Sequence, residues 1–200
     1  MKQPATRELF DYWNCLRGDR AAPDRAEINP AAIRNVLADT FMLEVDSDHR
    51  FPIRLSGSRF NALFCCEKKG HSFLDMWFAE EARKIAAVLL TVIDAACPVI
   101  AEAAAAPEGY PEQKFELLFL PLRHGGESKA RILGSLSLLR KPAWLGLLPV
   151  DELSLKSLQK VDGTASIAAT PNPFRPALPV PRGGADFETR GHLRVFRGGR

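Results

Sequence analysis

The apolar residues near the start of the chain fall with a helical period. Leu9, Trp13 and Leu16 recur at i, i+4 and i+7, Thr6 stands where an N-cap belongs, and Gly18 supplies a stop. A second helix is predicted from Asn29 as N-cap and Pro30 at the first helical position. Ile28 and Ile33 are spaced for a hydrophobic staple, and Ile33, Val36 and Leu37 make a buried stripe. From Thr40 the period becomes two. Phe41, Leu43 and Val45 alternate with Met42 and Glu44, Asp46-Ser47-Asp48 turns the chain, and Phe51, Ile53 and Leu55 alternate with Arg50, Pro52 and Arg54. This is a hairpin, and Pro52, which has no N–H to donate, assigns its strand to a sheet edge.

Ser58 opens a short helical stretch with Phe60, Leu63 and Phe64 on one side, ending by Gly70. Ser72-Phe73-Leu74-Asp75 has the form of a capping box and leads to Met76 and Trp77. The clearest helix covers residues 79–96, where Ala82, Ile85, Ala86, Leu89, Val92, Ile93 and Ala96 form one stripe, and Pro98 ends it. Three strands are predicted after it, at residues 99–105, 114–122 and 131–140. Apolar residues occupy both parities of the last two, so both sheet faces should be covered. The predicted fold is α+β, a five-stranded antiparallel sheet with flanking helices. Residues 142–162, with Trp144-Leu145-Gly146 and Leu153-Ser154-Leu155, form a closing segment that the pattern leaves open between helix and strand.

Composition divides this picture into parts. The 200 residues carry a net charge of +3. Residues 163–200 hold six arginines against Asp186 and Glu188, a balance of +4, which leaves −1 for the residues before them. That segment is also rich in proline and glycine and cannot recover its ordering entropy by burial. The expected organisation is an N-terminal helical extension (1–38), a compact domain with its closing segment (39–162) and a flexible, disordered Pro/Gly/Arg-rich tail (163–200). No apolar run approaches the length of a membrane span, and the start lacks an apolar signal segment. Cys15, Cys65, Cys66 and Cys97 form no Cys-x-x-Cys pair and are too sparse for a disulfide framework. The expectation is a cytoplasmic chain with reduced thiols and no membrane contact.

Several segments, in order, resemble a family of stand-alone PAS-domain proteins of alphaproteobacteria. They are Tyr12-Trp13-Asn14-Cys15-Leu16-Arg17-Gly18, Phe51-Pro52-Ile53-Arg54-Leu55-Ser56-Gly57, Ser72-Phe73-Leu74-Asp75-Met76-Trp77, Phe115-Glu116-Leu117-Leu118-Phe119-Leu120-Pro121-Leu122, Arg131-Ile132-Leu133-Gly134 and Trp144-Leu145-Gly146. The resemblance covers residues 6–162. It implies a PAS fold around a small cavity, with no attached kinase, cyclase or DNA-binding output domain, in a module that senses a small molecule or serves docking and dimerisation. The chain departs from the family pattern at Cys65-Cys66, where a glycine is more usual, and the resemblance does not account for the basic tail.

Phe60, Leu63, Phe64, Phe73, Trp77, Leu89 and Phe119 are the candidate cavity lining, and the same set would equally make a filled core. Arg54 and Glu116 each interrupt an apolar strand, where a charge needs a partner. They are candidate polar anchors in or beside the cavity; the plainer reading is solvent exposure or a structural ion pair. Leu9, Phe10, Tyr12 and Trp13 give the first helix more aromatic surface than a solvated arm needs, which predicts a homodimer through this helix and the sheet. Flavin photochemistry is disfavoured because Asn61-Ala62-Leu63-Phe64-Cys65-Cys66-Glu67-Lys68 lacks the polar residues that grip the flavin ring in photosensory PAS domains. Haem is disfavoured because only His71 lies near the expected cavity, in a predicted turn. The other histidines, His49, His124 and His192, share no metal-ligand spacing with a cysteine. No phosphate loop, nucleophile elbow or zinc-protease motif occurs, so catalysis has no candidate. The reading is a non-enzymatic signalling module, a sensor or adaptor, whose cofactor, if it has one, is not named by the sequence. Its partners would be signalling proteins such as histidine kinases or regulators, a small-molecule ligand, or a second copy. The alternative is a nucleic-acid-associated regulator using the arginine tail for phosphate contacts.

Overall fold

The computed structural model describes residues 1–123, 131–161, 187–190 and 193–196. The chain divides into two compact units, Met1–Thr170 and Pro171–Arg200. In the first, helix α1 spans Pro4–Arg17, with Pro4 at its start, where a missing N–H costs nothing, and Gly18 just past its end at φ 54°. Its N-cap is Gln3, not Thr6. Thr6 lies inside the helix, buried, with its hydroxyl 3.3 Å from Ser137 Oγ.

The second predicted helix is instead a series of 3-10 turns, Arg25–Glu27, Pro30–Ile33 and Leu37–Asp39. Asn29 caps as expected, its Oδ1 accepting the Ala31 N–H at 3.0 Å. The bonds Ala32 N–H to Asn29 O and Val36 N–H to Ile33 O close tighter turns than an α-helix makes. Buried Ile33 and Val36 sit three apart, a spacing that a three-residue spiral satisfies as well as an α-helix does.

The sheet has six strands rather than five: β1 (Thr40–Glu44), β2 (Ile53–Ser56), β3 (Val99–Ala105), β4 (Gln113–Leu122), β5 (Arg131–Leu138) and β6 (Ser154–Lys160). Their spatial order is β2-β1-β5-β4-β3-β6, every neighbouring pair antiparallel. The sixth strand comes from the closing segment and pairs with β3. Most of its residues are exposed, so it lacks the strong apolar alternation that identifies a strand from sequence. β2 is an edge, as Pro52 required; the Pro52 carbonyl accepts the Glu44 N–H at 3.0 Å.

The inner face of the sheet carries Phe41, Leu43, Ile53, Phe115, Leu117, Phe119, Ile132 and Leu136. It is covered by helix α2 (Ser58–Leu63), a 3-10 turn at Leu74–Met76, helix α3 (Ala79–Asp94) and the loop holding Trp144 and Val150. The outer face carries the alternate residues Leu118, Leu120 and Leu133, all buried. α1 covers it, and Trp13 Nε1 donates to Pro121 O at 2.8 Å. At Gly134 the strand comes close to two neighbours. A Cβ there would overlap the Phe41 ring and stand 2.8 Å from Leu118 O, so the absence of a side chain makes room for Phe41.

In the second unit, β7 (Phe187–Arg190) and β8 (Leu193–Phe196) pair antiparallel. The expectation of a flexible, disordered tail covered all of residues 163–200; β7 and β8 fall within it as paired strands, and the rest of that range lies outside the described residues.

Candidate functional site

Strand alternation and the apolar sides of α2 and α3 bring all seven predicted lining residues into one buried cluster. Phe41, which sequence reasoning did not single out, is its centre. Its ring centroid lies 5.2 Å from Phe60, 5.2 Å from Phe73 and 6.0 Å from Phe119. Phe73 in turn meets Phe119 edge-on at 5.8 Å and Trp77 at 6.0 Å, and Phe64 packs 5.7 Å from Phe60. Leu63 and Leu89 are fully buried among them. Such tilted and edge-on ring pairs each contribute about 0.5–1.5 kcal/mol beyond their area burial. Among the described residues, Trp77 Nε1 is buried in this interior without a hydrogen-bond partner.

Neither predicted polar anchor borders this interior. Ile53 and Phe115 point inward, so their neighbours Arg54 and Glu116 point to the outer face. Arg54 is half exposed and grips Glu44 with two bonds, Nε to Oε2 at 2.9 Å and Nη2 to Oε1 at 2.8 Å, while Arg131 approaches the same carboxylate at 3.4 Å. It closes a structural ion pair. Glu116 is buried and has a different task. Its carboxylate accepts the backbone N–H of Lys2 at 2.7 Å and of Gln3 at 2.9 Å, satisfying donors just ahead of α1 from across the sheet.

Directly opposite Glu116 on β3 stands Glu102. Two carboxylates facing each other across neighbouring strands repel unless cations intervene. Lys2 Nζ at 2.8 Å and Lys114 Nζ at 2.9 Å supply them. Hydrogen bonds from Lys2 and then Lys114 pull the Glu102 carboxyl down to about 2. Sequence reasoning missed Glu102 because its partner Lys2 lies 100 residues away in the chain.

Leu9, Phe10, Tyr12 and Trp13 are at most 2% exposed, buried against their own sheet. Their aromatic surface is consumed within the chain, and the homodimer expected through them loses the surface on which it was argued. His71 is exposed in a turn, its carbonyl accepting the Ile53 N–H at 2.9 Å. A cleft at the start of α3 is lined by Phe78, Ala79, Glu80, Glu81 and Glu152. Its acids have structural uses: Glu80 and Glu81 complement the helix N-terminus, and Glu81 accepts the Leu155 N–H at 2.6 Å. Among the described residues no cluster of three or more His, Cys, Asp or Glu could hold a metal ion, and no helix is long and apolar enough to cross a membrane.

No curated protein and no solved structure matches the chain. A family model described as a PAS domain matches residues 1–137, from the N-terminal helix through β5. That match covers more than half of the 200 residues and includes every strand but β6 of the main sheet; the chain belongs to the PAS domain family.

Proposed function

We propose that the chain is a signalling adaptor, a PAS module without catalytic chemistry that works by presenting its surface to signalling proteins such as histidine kinases or regulators. The observation that carries this reading is the aromatic interior. Phe41, Phe60, Phe73 and Phe119 meet ring to ring at 5.2 to 6.0 Å, which supports an interior packed by side chains rather than by a ligand. Recognition then falls to the surface. Native mass spectrometry with an absorption spectrum of the same purified sample tests this. The polypeptide mass alone, with absorption from Tyr and Trp only, is expected; an added mass or a visible band would overturn the adaptor reading.

A second reading, a small-molecule sensor, has one observation in its favour. Trp77 Nε1 is a buried donor without an acceptor, and a ligand carbonyl placed against it would remove the desolvation cost it carries. Under that reading native spectra show an adduct that Trp77→Phe weakens. The nucleic-acid reading depended on the arginines of residues 163–200, whose side chains lie outside the described residues.

A further inference from the structure

The end of α2 carries two adjacent thiols that neither the interior nor the ion-pair network uses. Cys65 and Cys66 are both free and both exposed. The turn that holds them is ordered. Phe64 N–H bonds Asn61 O at 3.1 Å, Cys65 N–H reaches Ala62 O at 3.4 Å, and Lys68 N–H bonds Asn61 Oδ1 at 3.1 Å. Lys68 Nζ lies 4.5 Å from the centroid of the Phe64 ring. Cys65 has a φ of 50°, the left-handed region, which a non-glycine residue enters at a cost.

We infer that Cys65 and Cys66 form a peroxide-responsive thiol pair that supplies an input to the module. A hydroperoxide transfers one oxygen to the thiolate of either residue. The O–O bond breaks, a sulfenic acid forms, and the peroxide leaves as water or an alcohol after protonation. The neighbouring thiol attacks that sulfur, the S–S bond forms, and the sulfenic oxygen leaves as water with the thiol's proton. Two thiols lose two electrons and one hydroperoxide gains them; a dithiol reductant reverses the change. Exposure gives the oxidant access, and adjacency keeps the resolving thiol beside the sulfenic acid, in a ring whose closure strains the backbone and makes the bond readily reducible.

The position of the pair couples this chemistry to the fold. Ala62 O accepts from Cys65 N–H and also from Gly146 N–H at 3.0 Å, so one carbonyl joins the α2 terminus to the turn at residues 144–148. That turn buries Trp144 in the core and presents Leu147, 76% exposed, to solvent. Closing a ring across residues 65 and 66 re-forms the backbone at this carbonyl, next to Phe64 of the aromatic cluster. The surface around Leu147 shifts as a result. Only this last consequence rests on the adaptor reading; the thiol chemistry stands apart from it.

The full chain, treated with equimolar hydrogen peroxide and digested with trypsin, provides the test. The peptide covering residues 60–68 is expected to become two hydrogens lighter and to recover with dithiothreitol. Hydrogen exchange should rise at residues 62–66 and 144–148 in the oxidised form. Cys65→Ser and Cys66→Ser, at exposed positions where folding is retained, should each abolish the mass loss. An unchanged peptide, one that gains oxygens instead, or a disulfide between two chains would overturn the pair. The peptide mass is read without any partner, so its failure is distinct from failure of the adaptor reading in native spectra.

Discussion

Glu116 shows how a residue that looks like a ligand anchor in sequence serves the architecture instead. Its carboxylate ties the entry of α1 to β4. Glu116→Ala leaves two backbone donors without their acceptor, and a loss of about 1–2 kcal/mol in chemical denaturation is expected, with faster amide exchange over residues 2–10. Unchanged protection there would refute the latch. Glu102 gives a pH dependence whose sign follows from its depressed carboxyl. Its pKa falls from 4.5 to about 2 on folding, so its contribution is full above pH 4.5 and disappears as pH falls toward 2. The stability difference between the wild type and Glu102→Gln should therefore shrink steadily across that range. It should also shrink with added salt, because both lysines are exposed. At Gly134 the constraint is steric. Gly134→Ala pushes into the Phe41 ring and should cost about 1–3 kcal/mol, read as a lower denaturation midpoint at unchanged slope.

Among elements, those with a strong period were legible in the sequence. Residues 79–96 predicted α3, found at Ala79–Asp94, and residues 99–105 predicted β3 to the residue. Elements whose identity is set by their neighbours were less so. β6 is largely exposed and is a strand because β3 offers it an edge, a fact that no local pattern carries. The stripe of Ile33 and Val36 read as an α-helix because a spacing of three does not separate the two helix types. At the site, Phe60, Leu63, Leu89 and Phe119 were legible because they lie on the apolar faces of α2, α3 and β4, whereas Phe64, Phe73 and Trp77 flank α2 and the 3-10 turn and were read from their apolar character beside those elements. The hub of the cluster, Phe41, was read only as a strand residue, since its central place depends on Gly134 opposite it in β5. Arg54 and Glu116 were recognised as charges needing partners, but the face each points to follows from strand register. The spatial order of the strands makes a further prediction. β5 and β4 are interior to the sheet and covered on both faces, so the slowest-exchanging amides should lie in residues 117–120 and 132–136. Fastest protection loss in those strands would contradict the strand order.

At the scale of the first compact unit, one sheet serves two layers, the aromatic interior on one face and α1 on the other. Both layers pack on that sheet, and α1 is further held by the Asn29 N–H, which donates to Tyr12 Oη at 2.7 Å. Unfolding in denaturant should therefore be a single transition, with far-UV circular dichroism and tryptophan fluorescence coinciding, because Trp13 reports the outer layer and Trp77 and Trp144 the inner one. Separate midpoints would show that α1 undocks by itself. The family match ends at residue 137, whereas β6 closes the sheet only at Lys160, after Trp144, Val150 and Leu153 have joined the core. A recombinant fragment trimmed to the family boundary would strip β3 of its neighbour. It would bare the alanine-rich run Val99-Ile100-Ala101-Glu102-Ala103-Ala104-Ala105 as an open template for strand addition. Precipitation of such a fragment would be an artefact of where the gene was cut, and expression work is better served by carrying the coding region through Lys160.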